Sequence, residues 1–218
     1  MAFTLFDLDN TLLGGDSDYL WGCFLAAQGI VDGAVYEREN AQFYRDYHAG
    51  TLDIAAFLRF SLRPLRDHPR AQLIALREQF INECIVPLLL PAALELIASH
   101  RAAGDTLIII TATNSFVTAP IAARVGISHL IATEPAEDNG QYTGEVAGIP
   151  AFREGKVVRL EQWLLAHGGD LNGSTFYSDS HNDVPLLERV THPVAVDPDP
   201  QLRALATARQ WKIISLRD

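Results

Sequence analysis

Three apolar runs, far apart in the chain, each lead into a polar side chain able to carry chemistry: Phe6 into Asp7, Ile110 into Thr111, and Tyr177-Ser178 into Asp179. Short runs of this kind, rich in β-branched and aromatic residues, predict buried strands at 2–6, 106–110 and 174–178, with a further one at 130–133. Helical spacing predicts helices at 92–102, about 115–125, 156–167 and 184–190 between or after them. Short runs at 194–196 and 212–216 read as outer strands. Strands that alternate with helices require right-handed crossovers and a mostly parallel sheet. In such a sheet the carboxyl ends of neighbouring strands share one edge, where ligands bind, so Asp7, Thr111 and Asp179 are expected to converge.

One stretch breaks the alternation. From about Asp16 to Leu90 no strand is predicted, and apolar residues recur at three and four spacings, as in Leu73, Leu76, Phe80 and Ile81. Helices are expected at 19–28, 31–48, 52–61 and 69–85, punctuated by Gly29, Gly50 and Pro64. The expected fold is α/β: a Rossmann-like three-layer core with a mostly parallel sheet, plus an inserted α-helical cap. The core is discontinuous, residues 1–14 and 90–218, and the cap is 15–89. Asn139-Gly140 between two short alternating stretches predicts a β-hairpin.

The chain has 218 residues and a formal net charge of -10. An acidic surface repels phosphate backbones, so nucleic acid is not expected as a partner. No apolar run approaches the roughly 20 residues that span a bilayer, and the start of the sequence lacks a signal-peptide pattern, so no membrane partner and a cytoplasmic setting are expected. Cys23 and Cys84 lack metal-ligand spacing and read as buried apolar thiols.

Asp7 and Asp9, two apart on an extended chain, address one side. Asp179 and Asp183 add two carboxylates from another strand end. Charges about 4 Å apart repel by about 4 kcal/mol at an effective dielectric near 20, so a site that gathers them must shift their pKa values or bind a cation. Oxygen-only ligands suit Mg²⁺. With the phosphate charge neutralised, Asp7 can attack phosphorus as the nucleophile. Asp9 then serves as general acid for the leaving oxygen and general base for the water that follows. Lys156, at a predicted helix start where a cation lacks a natural partner, would meet the phosphate together with the Thr111 hydroxyl.

These residues resemble the haloacid-dehalogenase-like hydrolase superfamily, and within it the phosphoserine-phosphatase-like branch (subfamily IB, with a helical cap of C1 type) and its histidinol-phosphatase-like sister group. Asp7-Leu8-Asp9-Asn10-Thr11 is similar to the first motif, Thr111 to the second, Lys156 to the third, and Ser178-Asp179-Ser180-His181-Asn182-Asp183 to the fourth. Ser178 and Ser180 stand where that motif usually has Gly before its first Asp and often after it. The resemblance implies Mg²⁺ held by the Asp7 side chain, the Asp9 backbone carbonyl and Asp179, with Asp183 supporting its water shell. It implies hydrolysis of a small phosphomonoester through an aspartyl phosphate. A phosphomutase or phosphotransferase of the same fold and a non-catalytic phosphate-binding relative are the alternatives.

Specificity is expected in the cap. Asp16, Asp18, Tyr19, Trp21, Tyr44, Arg45 and His48 are its candidates, with Asn114 from the core. Acidic residues at 16 and 18 favour a substrate with an amino group, such as histidinol phosphate or phosphoserine. His181 is expected as a solvent-facing loop residue rather than a metal ligand. Gly14-Gly15 and Leu88 to Pro91 are the expected hinges.

Overall fold

A computed structural model describes residues 2–217 of the chain. Its strands are β1 (Phe3–Phe6), β2 (Thr106–Asn114), β3 (His129–Thr133), β4 (Pro135–Asp138), β5 (Gln141–Val146), β6 (Thr175–Ser178), β7 (His192–Val196) and β8 (Lys212–Ile214). Six of them form one sheet in the order β3-β2-β1-β6-β7-β8, parallel throughout. The Asn139-Gly140 turn joins β4 and β5 into a separate antiparallel hairpin.

Both faces of the sheet are covered, which is why its strands read as unbroken apolar runs. Leu5, Ile108, Ile110, Phe176 and Ala195 face one buried cluster with Leu160, Leu186 and Leu202. These last come from α8 (Glu154–His167), α9 (Val184–Leu187) and α10 (Pro200–Ala208). Phe6, Leu107, Ile109, Tyr177 and Val194 face a second cluster. It includes Ile97 of α6 (Pro91–Ala102) and Val117 and Ile121 of α7 (Ser115–Arg124).

Between β1 and α6 lie α1 (Ser17–Ala27), α2 (Gly33–Ala49), α3 (Ile54–Ser61), α4 (Arg63–Asp67) and α5 (Arg70–Phe80). Asp16, Asp32 and Asp53 cap the first three, each side chain accepting a backbone N–H from the first turn. The chain enters and leaves this segment side by side: Gly14 N–H donates to Leu88 O (2.8 Å) and Leu90 N–H to Leu12 O (3.3 Å). The interior of the segment is continuous with the sheet's second cluster. Trp21 of α1 lies 5.2 Å from Phe80 and 6.0 Å from Phe116 of α7, ring centre to ring centre.

Several expectations change. Strand β2 runs on to Asn114, its pairing with β3 shifting register between Ile110 and Asn114. Thr111 therefore lies within the strand, where β-branched Thr111 and Thr113 keep the chain extended. Pro64, expected as a break, sits in the first turn of α4, where its missing N–H leaves no bond unmade. The helix expected over 69–85 turns into a wider π-type coil at Ile81–Ile85. Helix α10 was not anticipated, although Asp199-Pro200 is a good start signal: the Asp199 carboxylate caps it at Gln201 and Leu202. Only β8 of the two expected outer strands is at the edge; β7 is paired on both sides. Both cysteines are free and half-buried rather than buried.

Candidate active site

The register decides where the polar groups fall. Phe6 is level with Ile109 on one side and Tyr177 on the other. β1 ends at Phe6 and β6 at Ser178, while β2 runs on past them to Asn114, so Asp7 one residue beyond this level and Thr111 and Asp179 two residues beyond it come to one edge of the sheet. Asp7 N–H still donates to Tyr177 O (2.9 Å), which fixes the start of the loop that carries Asp9 and Thr11. Thr11 holds the two carboxylates near each other. Its hydroxyl lies 3.4 Å from Asp7 Oδ2 and 3.2 Å from Asp179 Oδ1, and it accepts Asp179 N–H at 3.0 Å. One hydroxyl proton cannot serve both oxygens, so negative charge there lacks a full complement of donors.

Lys156 enters from the first turn of α8. Its Nζ donates to Asp7 Oδ1 and to Asp183, each at 2.7 Å, and its side chain is 3% exposed. Burial disfavours the ammonium, but the Asp183 and Asp7 carboxylates outweigh that and hold its pKa above the ordinary lysine value. Ser178 Oγ donates to the same Asp183 oxygen at 2.7 Å. Gly155, just before the lysine, is required by contact: a Cβ there would lie 2.0 Å from Pro150 O.

Asp9 is gripped by two donors, Ser17 N–H on one oxygen (2.6 Å) and the Thr113 hydroxyl on the other (2.8 Å). Thr113 N–H in turn donates to Thr111 Oγ1 at 3.2 Å, which leaves the Thr111 hydroxyl proton for a ligand. Burial, assisted by Asp16, pushes Asp9 up to about 6 against the pull of those donors. Asp7 rises to about 7 through burial and the Asp183 charge, with Lys156 opposing. Asp179 rises well above the carboxylate range, from burial and then Asp7 and Asp183. A cation between Asp7 and Asp179 would reverse those shifts.

Asp7, Asp9, Thr111 and Thr113 line one wall of a cavity, which encloses about 640 Å³ including its open mouth. Asp16, Asp18, Tyr19, Phe43, Tyr44 and Phe57 of the helical segment line a second wall, Asp16 and Asp18 flanking the Ser17 N–H that binds Asp9. Asp16 accepts Tyr19 N–H at 2.9 Å. Among the described residues the Asp18 carboxylate has no hydrogen-bond partner. Burial and its neighbours Asp16 and Asp9 raise its pKa well above the usual value. No Lys or Arg is among the described residues that line this cavity.

A model of the haloacid dehalogenase-like hydrolase family matches residues 4–188. The chain belongs to that family. It is 43% identical to a histidinol-phosphatase of Neisseria meningitidis serogroup C, over 98% of each chain. It is 34% identical to a phosphoserine phosphatase of Mycobacterium tuberculosis, over 99% of this chain and 71% of that one. A solved structure of a Bordetella pertussis protein described as of unknown function superposes with a TM-score of 0.93 at 48% identity, over 99% of both chains. A phospho-aspartyl intermediate analogue of phosphoserine phosphatase shares the fold, with a TM-score of 0.73 at 21% identity, over 100% of this chain and 94% of that one.

Other expected residues of this hydrolase lie elsewhere. Arg45 is exposed on α2 and donates to Gln42 at 2.6 Å, outside the cavity. Asn114 is buried and caps α7, accepting Val117 N–H. Trp21 is core, and His48 meets Tyr44 edge to face, 4.4 Å between ring centres, outside the lining. His181 is not solvent-facing: its Nδ1 pairs with Asp199 Oδ2 at 2.8 Å, and its side chain is 14% exposed. Thr11, Ser17, Thr113 and Ser178 went unpredicted as partners of the carboxylates. Only Thr113 carried a signal, two residues after Thr111 on an extended chain.

Proposed function

We propose that the chain is a Mg²⁺-dependent phosphatase whose Asp7 attacks a small phosphorylated amino alcohol lacking a carboxylate, with histidinol phosphate as its best representative. The observation that carries the reaction is Asp7 itself, with Lys156 on one oxygen and Asp179 beside the other, at the floor of a cavity that Asp9 also faces.

The residues fit Mg²⁺. The Asp7 and Asp179 side chains and the Asp9 carbonyl would hold it, with Asp183 close by. Mg²⁺ characteristically takes one or two carboxylates and keeps waters and phosphate oxygens. When bound it offsets charge on the phosphoryl group and on the paired carboxylates. Lys156 and the Thr111 hydroxyl bind the phosphoryl oxygens. Asp7 Oδ bonds to phosphorus as the ester P–O bond breaks, and Asp9 gives its proton to the leaving oxygen. Asp9, then ionised, takes a proton from water as that water attacks the aspartyl phosphate and frees Asp7. A pKa near 6 suits a group that must do both near neutrality.

The helical wall supports the substrate class. Asp16 and Asp18 offer carboxylates to an ammonium group, and Tyr19, Phe43, Tyr44 and Phe57 offer aromatic faces to a cation or a flat ring. A substrate carboxylate would meet acids and no lining cation, which disfavours phosphoserine. In this reading residues 15–89 form a cap over a core of 1–14 and 90–218. The Trp21–Phe80–Phe116 seam holds the α1 and α5 side, so opening is concentrated at the far ends of α2 and α3. The test is phosphate release from histidinol phosphate, phosphoserine and glycerol phosphate with and without Mg²⁺. Mg²⁺-dependent release that ranks histidinol phosphate first is expected. Equal turnover of glycerol phosphate would sink the amine assignment.

A further inference from the structure

The C-terminal end of α2 is tied to the two loops that carry Lys156 and Asp183, and one residue makes most of the tie. Arg153 Nη2 donates to Gly50 O at 2.6 Å, and Arg153 Nε donates to Asn182 Oδ1 at 3.0 Å. Asn182 Nδ2 donates to Tyr47 O at 3.2 Å. The Tyr47 hydroxyl closes the circuit on Ser180 Oγ at 3.3 Å. The last carbonyls of a helix ordinarily turn to water, and a cation there is favoured. Here the donors come from the segments just before α8 and α9.

The backbone of Arg153 is also unusual. Its φ of 51° and ψ of -122° lie where side chains other than glycine rarely go. Such conformations persist only where the surroundings over-determine them. Its carbonyl accepts Lys156 N–H at 3.0 Å, so this one residue shapes the turn that delivers the lysine. Its guanidinium lies 5.0 Å from the ring of Phe152, which lines the cavity.

Resting on the phosphatase reading above, we infer that Arg153 is a positioning residue: its fork between Gly50 and Asn182 forms only when the α2 end is down, and that contact sets the Lys156 and Asp183 loops for phosphoryl transfer. Asn182 shares a turn with Asp183, whose N–H donates to Ser180 O at 3.1 Å. The α2 end packs closely here. A Cβ on Gly50 would lie 2.8 Å from His181 Nε2, at a residue already in the left-handed region with φ 72°.

The experiment compares Arg153→Ala, Arg153→Lys, Gly50→Ala and the Arg153→Ala/Gly50→Ala double variant with the unsubstituted protein, on histidinol phosphate with saturating Mg²⁺. A misplacement of the reacting groups on the order of 1 Å costs about 100-fold, so kcat is expected to fall about 10- to 100-fold in Arg153→Ala, with KM changed less than about threefold. Lysine keeps the charge but lacks the rigid planar fork that sets two separated donors, so Arg153→Lys should fall between. Gly50→Ala wedges the same contact, so the double variant should be little worse than the poorer single. Amide exchange in Arg153→Ala should quicken in both 47–51 and 180–183, with Tm nearly unchanged. Unchanged kcat, fully multiplicative losses, or losses that track Tm would each overturn the positioning role. If the unsubstituted protein releases no phosphate from any monoester, the functional reading fails and the catalytic part of this inference with it. The exchange result then separately decides whether the bridge exists.

Discussion

The two walls of the cavity are built on different principles. On the sheet side every reactive group is held by at least one neighbour: Asp9 by Ser17 and Thr113, Lys156 by Asp7 and Asp183, Asp179 by Thr11. On the helical side, Asp18 and the aromatic residues present chemistry with few bonds to hold it. A wall tied into a parallel sheet keeps atoms in place for bond-making. A wall of side chains on helices can change its lining without disturbing that placement. On the proposed function, reaction and selectivity reside on different walls of one cavity, and substitutions should separate them.

The largest effect is expected on the sheet side. Asp7→Asn should leave no measurable phosphate release, and Asp9→Asn should lower kcat by about 10²–10⁴-fold, the usual range for a lost general acid–base. Retention of the normal rate in either would break the comparison at its strongest point. Asp18→Asn, on the other wall, should raise KM for histidinol phosphate by about 10- to 100-fold, as expected when a charged hydrogen bond worth about 1.5–3 kcal/mol is lost. It should leave turnover of glycerol phosphate nearly unchanged. A fall in kcat for both substrates would show that the walls are not separable.

Acidity gives a further test. Burial raises Asp7 to about 7 and Asp9 to about 6 from 3.8, so the folded chain holds protons that the unfolded chain has already released. Those groups favour the fold below pH 3.8, and that contribution is lost as pH rises from about 4 to about 7. Without divalent cation, thermal stability should therefore decline through that window as far as these groups govern it. Mg²⁺ competes with protons for the same oxygens, so its stabilisation should be larger at pH 7.5 than at pH 5.5, by several degrees in a chain of this size. Equal Mg²⁺ shifts at both pH values would place the cation away from these carboxylates. The smallest effect belongs to Arg45→Ala, an exposed side chain outside both walls, which should change kcat/KM less than twofold and stability by at most about 0.5 kcal/mol.

The sequence made the sheet side readable and the helical side only partly so. Asp7, Thr111 and Asp179 could be brought together because they follow buried strands, and parallel strands deliver their ends to one edge whatever the details of register. Asp16 and Asp18 were traceable by their nearness to Asp9. Arg45 was placeable after all: Tyr36, Phe43, Tyr44 and Tyr47 recur at helical spacing and turn one face of α2 inward with Asn40, and Arg45 falls on the opposite face. The Asp199–His181 pair and the Arg153 fork join groups remote in sequence, so no local pattern announces them. Asp199-Pro200 was a legible helix start, overlooked because nothing in α10 carries chemistry.

The place of β1 has a consequence for how the site comes into being. It is a middle strand, with Phe3 level with Thr106 and Thr4 level with Thr175, so its partners on the two sides arrive from very different distances along the chain. Closing such long loops is slow, and the β6 side is the longer closure. A chain that has paired β1 with β2 already holds Asp7, the proposed nucleophile, but not Asp179, and it has neither the full repulsion of gathered carboxylates nor the proposed place for a cation. Both arrive together when β6 docks. During refolding, Mg²⁺ affinity should therefore return as a single late phase, after most of the helical signal has been recovered.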